Sequence, residues 1–438
     1  MSLNTILSLD NMNINFRYVK LKLFLSIVFI SIFSYNFYIA LNNKYKADAD
    51  AADFISIGVS IAKSNHYGHL NIPNGIITDI KNKKVSSTKY SISDFSTWRP
   101  PVWPFLIASV FFIFGYNLTY LLIFKFLLHL LGIFLFNKTL RFSRFKELTI
   151  IIGTFLYSVS PAWQLYTRFF LSEPITLFFI TLWIYFLLKA IIYKSSFFPQ
   201  AIFAGILILC HPYFIFLPFS IWLILLLKKQ VSFRILATSS SICILVVSIW
   251  VIRNSIILNT TTPIITTSAG AVMAKGWNKQ VLKHHTNMNG DLANENLILE
   301  EYQYDENLIT SELKKNELYK VATLYFIKNN PELILPIIGK KLLSAFNPIP
   351  EHLKPGILET GRWILHILSF VSIIYILVRS NNKLLKSFAL GLIISTILIT
   401  IIAFSGFRFR MPQIGIELLF ILFALNELLK NKEGLNRL

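Results

Sequence analysis

Charge is scarce in this 438-residue chain: only 15% of its residues are Asp, Glu, Lys or Arg, against 54% hydrophobic. That balance excludes an ordinary soluble domain and, with a mean hydropathy of +0.58, indicates an all-α integral membrane protein. Cysteine is nearly absent. Cys210 and Cys243 both lie inside apolar runs, which excludes a disulfide framework or a zinc site in the loops. No Gly-rich strand-to-helix turn or phosphate loop occurs, so the chain has no signature of soluble-nucleotide binding. Acidic residues are outnumbered 22 to 42 by basic ones. The basic residues fall in short clusters between apolar runs rather than on one soluble face, which marks topology and excludes a nucleic-acid partner. With no internal repeat and no Gly/Ser-rich linker, residues 1–438 read as one transmembrane domain.

The first apolar run, about Leu21 to Leu41, follows Arg17 and Lys20 and has no small-residue cleavage site after it. It reads as a retained anchor with a cytoplasmic N-terminus. Further spans fall near 118–139, 148–163, 173–192, 234–252, 357–378, 385–404 and 411–429 on a window of about 20 residues. Ala201 to Leu227 is broken by His211-Pro212 and reads as two short helices. A bundle of about ten spans, with both termini in the cytoplasm, then puts Arg141/Arg144/Lys146, Lys228/Lys229/Arg234 and Arg379/Lys383/Lys386 inside. Two large outer loops remain, 42–117 and 253–356. Pro101 to Gly115 is too short to span and is expected as an interfacial helix in the first loop, anchored by Trp98, Arg99 and Trp103. In the second, Leu308 to Asn330 is expected as an amphipathic helix with Leu313, Tyr319, Ala322, Tyr325 and Phe326 on its apolar face, and Pro331 to Phe346 as another helix on the outer surface.

Chemistry-bearing residues cluster on that predicted outer face. Asp48, Asp50 and Asp53 follow the first span almost at once; carboxylates at the mouth of an apolar bundle are costly, and are placed to accept a hydroxyl proton. They also suit the first turn of a helix, as does Glu173 before Pro174, which could pair with Arg168. Arg408 and Arg410, separated by one phenylalanine, and Arg253 at a span end are candidates to bind phosphate. Arg99 can be an interfacial anchor or a substrate contact, and His211 a helix-break residue or a substrate contact. Tyr67 and Trp277 offer rings on which a ligand could stack.

In order along the chain, Asp50-Ala-Ala-Asp53-Phe54, Arg99-Pro100-Pro101, Leu171-Ser172-Glu173-Pro174, Trp250-Val-Ile-Arg253-Asn254 with Gly276-Trp277-Asn278, and Arg408-Phe-Arg410-Met-Pro412 resemble the GT-C superfamily of membrane glycosyltransferases. The likeness is greatest to bacterial relatives of protein O-mannosyltransferases and of the lipid A aminoarabinose transferase. His211-Pro212 stands where many relatives have Arg-Pro, and the large soluble outer domain of some relatives is missing. The resemblance implies a GT-C-type bundle in the cytoplasmic (inner) membrane, with its active site on the outer face. It implies a polyprenyl-phosphate sugar donor, a lipid-linked or surface glycan acceptor, and inversion at the anomeric carbon. In those terms Asp50, Asp53 and Glu173 are the catalytic carboxylates, with Asp50 as general base, its proton affinity raised by desolvation. Arg408, Arg410 and Arg253 meet the donor phosphate, and Arg99, Tyr67, His211, Asn254 and Trp277 the substrates. No cofactor is assigned, and a divalent metal is left open. The competing readings are a transporter or flippase of a lipid-linked saccharide, which places charge near the midplane in repeated halves, and a glycan polymerase or ligase of another membrane fold.

Overall fold

A computed structural model describes residues 3–44, 50–70, 92–167, 169–283, 295–301, 311–346, 356–404 and 407–435. Asp48, Arg168, and Leu308 to Thr310 lie outside the described residues. Within them the chain is almost wholly helical. In order the helices are α1 (Leu3–Ile39), α2 (Asp50–Ser64), α3 (Val102–Phe114), α4 (Leu118–Phe142), α5 (Glu147–Ser158), α6 (Pro161–Tyr166), α7 (Glu173–Tyr193), α8 (Phe198–Cys210) and α9 (Phe216–Leu227). There follow α10 (Phe233–Leu258), α11 (Ala269–Gly276), α12 (Asn296–Glu301), α13 (Glu312–Asn329), α14 (Pro331–Phe346), α15 (Ile357–Arg379), α16 (Lys383–Ile402), α17 (Phe407–Arg410) and α18 (Ile414–Leu435).

Among the described residues, eight helices are long and apolar enough to cross a membrane: Tyr18–Asn42, Glu147–Tyr166, Arg408–Leu428, α4, α7, α10, α15 and α16. The protein is an all-α membrane protein. Arg408–Leu428 is the most buried of the eight and Tyr18–Asn42 the least. The unburied faces are apolar, as on α10, where Ile244, Leu245, Ile249, Ile252 and Ile256 are all exposed; contiguous apolar surface of this kind is what lipid covers. Two shorter apolar helices, α8 and α9, meet at His211-Pro212 as expected, because Pro212 has no N–H to continue the ladder and instead begins a 3₁₀ turn.

Apart from the two large loops, successive spans are joined by short connections and run antiparallel. The starts of α2, α7, α9, α15 and α18 and the ends of α8, α10 and α16 therefore gather at one end of the bundle, while the basic clusters gather at the other. The gathering is tightened by close helix approach. A Cβ on Gly58 would sit 2.4 Å from Ile107 Cγ2, and one on Gly391 2.8 Å from Ile221 Cα, so α2 lies flush on α3 and α16 on α9. Inside the bundle, Gln200 Oε1 accepts from Trp183 Nε1 (3.3 Å) and Trp222 Nε1 (3.0 Å) while its Nε2 donates to Ser239 Oγ (3.0 Å), a satisfied polar tie among helices.

The first large loop holds α2 and α3, the expected interfacial helices, and also an unexpected antiparallel ribbon. Its strands β1 (Gly68–Leu70) and β2 (Ile92–Phe95) pair Gly68 opposite Phe95 and Leu70 opposite Ile92. In the second loop α13 and α14 form where the pattern places them, but the buried face of α13 is Asn316, Tyr319, Ala322, Thr323 and Phe326. Tyr325 is exposed, because a residue next to Phe326 points about 100° away from it. The polar Asn316 belongs to the stripe because its Oδ1 accepts from Gly270 N at 2.8 Å.

Candidate functional site

At the gathered end, five charged side chains form one cluster. Asp50 and Asp53 stand three apart in the first turn of α2, hence on one face, where the helix dipole favours carboxylates. Arg99, held by the rigid Arg99-Pro100-Pro101 approach to α3, spans both: Nη2 lies 2.5 Å from Asp50 Oδ1 and 2.6 Å from Asp53 Oδ2, and Nε 3.1 Å from the latter. Its guanidinium stacks 5.4 Å above the Phe54 ring. On the other side of Asp50, Arg408 Nη1 lies 2.6 Å from Oδ2, while its Nε donates to Glu173 Oε1. Glu173 is fully buried at the start of α7. Its second oxygen has no hydrogen-bond partner among the described residues. Asp50 is thus gripped from two directions, and each arginine bridges two carboxylates.

This geometry corrects the expected electrostatics of Asp50. Burial alone would raise its pKa, but Arg99 and Arg408 overcome that and hold the carboxyl well below the ordinary range. Until an arginine is drawn away, Asp50 is an ionised and weak base. His69 Nδ1 stands 3.9 Å from Asp53 Oδ1, with burial pushing its imidazole pKa down despite the carboxylate.

Beside the cluster lies a cavity of about 430 Å³. Asp50, Arg99, Arg408 and His211 line it, together with an apolar and aromatic wall that includes Tyr213, Ile265, Ile402 and Phe409. Tyr213 and Phe409 stack with centroids 5.5 Å apart, and His211 meets Phe409 edge-on at 5.5 Å. Burial pushes the His211 imidazole down to about 4. Its Nδ1 is buried without a partner among the described residues, so His211 is a neutral polar wall residue in place of a fixed charge.

The remaining expected residues are not in the cavity. Arg410 points elsewhere: two positions apart on a helical turn face about 200° from each other, so Arg408 and Arg410 cannot share a ligand. Arg410 donates to Ala345 O and lies 3.4 Å from Glu417. Glu417 also pairs with Arg362 Nη1 at 2.5 Å and with His366 Nδ1 at 3.1 Å, a buried network below the site. Arg253 is a strut. Its Nη1 donates to Ser96 O (2.7 Å), and its guanidinium sits 5.0 Å and 4.6 Å from the Tyr67 and Trp250 rings. Tyr67 donates its hydroxyl to Arg99 O at 2.9 Å and thereby positions Arg99. Asn254 Nδ2 bonds Ile264 O and Ile265 O, both at 3.0 Å, fixing a cavity wall. Trp277 is buried and donates to Ile401 O at 3.1 Å, closed to a sugar.

Five contributors escaped sequence reasoning. Glu312 starts α13 and accepts from Ser96 Oγ (2.7 Å), Thr97 N (2.7 Å), Thr97 Oγ1 (3.0 Å) and Thr267 Oγ1 (3.1 Å), which ties α13 to the loop carrying Arg99. Lys275, Glu295 and Lys320 line the cavity without any motif to announce them. Lys125, buried in α4, donates to Thr167 O (2.9 Å) and Phe169 O, so it fixes the turn leading to Glu173; a lysine inside an apolar span was the available signal. Among the described residues, no group of three or more His, Cys, Asp or Glu side chains is placed to hold a metal ion. Compared with known proteins, the chain matches no family model, no curated protein and no solved structure.

Proposed function

We propose that this chain is a GT-C-type glycosyltransferase of the cytoplasmic membrane. In this reading it moves one sugar from a polyprenyl-phosphate carrier to a hydroxyl of a lipid-linked or cell-surface glycan on the outer side. The observation that carries the reading is Asp50, gripped by Arg99 and Arg408 at the edge of a largely apolar cavity. Glycosyl transfer needs a base for the acceptor hydroxyl and a cation for the charge that grows on the leaving phosphate. The cluster offers both within one ion-pair chain. All of it sits at the end of the bundle remote from the basic clusters, which for a cytoplasmic basic side is the outer end.

The steps follow from the ion pairs. The donor phosphate competes with Asp50 for Arg408 and Arg99, and as those arginines turn to it the proton affinity of Asp50 rises. The acceptor oxygen then bonds to the anomeric carbon, and the carbon–oxygen bond to phosphate breaks with its electron pair going to the phosphate. Asp50 takes the hydroxyl proton, and the configuration inverts. Asp53 and Glu173 keep the two arginines oriented throughout. The full span count in this reading is ten, with α8 and α9 as two short spans and both termini cytoplasmic.

The test is transfer in membranes supplied with a polyprenyl phosphate bearing one radiolabelled sugar. Label should reach glycan with the wild type and stay on the carrier with Asp50→Asn. Equal transfer by both proteins would remove Asp50 from the mechanism. Passage of intact lipid-linked saccharide across vesicles, with no transfer, would make the protein a transporter.

A further inference from the structure

The proposed reaction brings two substrates to one cavity, and the charge distribution around that cavity is uneven. In the Asp50 cluster three carboxylates, Asp50, Asp53 and Glu173, face two guanidiniums, Arg99 and Arg408. Lys125 does not line the cavity, and its ammonium donates to Thr167 O and Phe169 O behind Glu173. Both guanidiniums are already engaged by carboxylates, so an anion can bind there only by exchange with one already in place.

The cavity has another cationic wall. Lys275, near the end of α11, and Lys320, on α13, line it with Glu295. Lys275 Nζ lies 3.5 Å from Glu295 Oε2. Among the described residues, this wall has two ammoniums, Lys275 and Lys320, to one carboxylate, Glu295. Its place is set by α13. Glu312 anchors that helix beside Arg99 through Thr97, and Lys320 follows eight positions later, about 12 Å along the axis at 1.5 Å per residue. Between these charged walls the lining is apolar, with Val272, Ile402 and Phe404 among it. A phosphate or carboxylate gains more from an ammonium held in such surroundings than a neutral sugar hydroxyl does.

We infer that the cavity holds a second anion-binding subsite, formed by Lys275 and Lys320, and that the acceptor is itself anionic, seating a phosphate or carboxylate there while the donor phosphate meets Arg99 and Arg408. The assignment of the two anions to acceptor and donor rests on the glycosyltransferase reading; the subsite itself does not.

Inorganic phosphate and a polyprenyl monophosphate are the probes, titrated by phosphorus NMR into the detergent-solubilised full chain, with thermal unfolding as the check on folding. Phosphate is expected to bind the wild type even when polyprenyl phosphate is saturating. Lys275→Ala with Lys320→Ala should weaken phosphate by about tenfold or more, the loss of charge-assisted hydrogen bonds, and leave polyprenyl phosphate within about twofold. Glu295→Gln, which removes the competing carboxylate and no lysine, should tighten phosphate. Unchanged phosphate affinity in the lysine variants would overturn the subsite. Competition between the two probes, or loss of polyprenyl phosphate in the lysine variants, would overturn the two-anion arrangement. Failure of polyprenyl phosphate to bind the wild type would strike the donor assignment alone, since phosphate still reports on Lys275 and Lys320.

Discussion

Arg408 Nη1 lies 2.6 Å from Asp50 Oδ2, joining the start of the last span to the first helix after the first span, 358 positions earlier in the chain. The same guanidinium also holds the fully buried Glu173, so one side chain closes the site from three parts of the sequence.

Loss of Arg408 should therefore cost stability as well as activity. Arg408→Ala leaves the Glu173 charge buried without its partner, and is expected to destabilise by roughly 3 kcal/mol. Adding Glu173→Gln removes that orphaned charge and should recover much of the loss. A double-mutant cycle on thermal unfolding in detergent measures this. Additive effects of the two substitutions would deny the coupling.

The arginine grip on Asp50 sets a pH dependence. A depressed carboxyl contributes its stability fully above the ordinary Asp value of 3.8 and loses it only as pH falls through the lower folded value. Asp50 therefore gives no change in stability between pH 5 and 8, and no acid limb in kcat/KM over that range, because kcat/KM reports the free enzyme. An acid limb is expected in kcat alone, where bound phosphate has drawn the arginines away. The pH profiles of the two parameters for wild type and Asp50→Glu check this; a limb near neutrality in kcat/KM that moves with Asp50→Glu would contradict it.

Much of the fold and part of the site were legible in the sequence for physical reasons. Apolar length fixes spans, and Pro212 fixes a break. Asp50, Asp53, Arg99, Glu173 and Arg408 stood out because charge beside lipid is costly and needs a partner. What spacing could not tell was which partner. Arg408 and Arg410 look equivalent in one dimension, yet the turn between them sends one to Asp50 and the other to Glu417. Arg253, Tyr67 and Asn254 read as ligand contacts in the sequence, whereas Arg253 and Tyr67 support the loop and strand that place Arg99 and Asn254 holds the cavity wall at Ile264 and Ile265. The ribbon between β1 and β2 was missed because strands of three and four residues leave no periodicity to read. Lys320 was hidden among the lysines of a surface helix.

The buried network below the site should behave as a support. Glu417→Ala leaves Arg362 and Arg410 without their shared carboxylate and is expected to destabilise by about 3 kcal/mol. It should lower kcat through the displaced Arg408 turn and leave phosphate binding at Lys320 unchanged. Unfolding and kcat are measured together; a stable variant with full activity would show the network to be dispensable.

Helix contact is testable at Gly391. A valine there would meet Ile221 backbone atoms, with even its Cβ only 2.8 Å from Cα, and overpacking of this kind costs about 1–3 kcal/mol. Gly391→Val should lower the unfolding temperature, whereas Gly339→Val, where a Cβ meets nothing within 4 Å, should cost little beyond helix propensity.

The central claim is that Asp50 completes sugar transfer from a polyprenyl phosphate. Native mass spectrometry of wild type and Asp50→Asn protein, gently extracted from membranes, tests it most directly. The account predicts that the Asp50→Asn protein carries a polyprenyl monophosphate bearing one sugar, trapped before transfer, while the wild type carries mainly the sugar-free polyprenyl phosphate. A pyrophosphate-linked oligosaccharide on both proteins would contradict it and make this a flippase, polymerase or ligase.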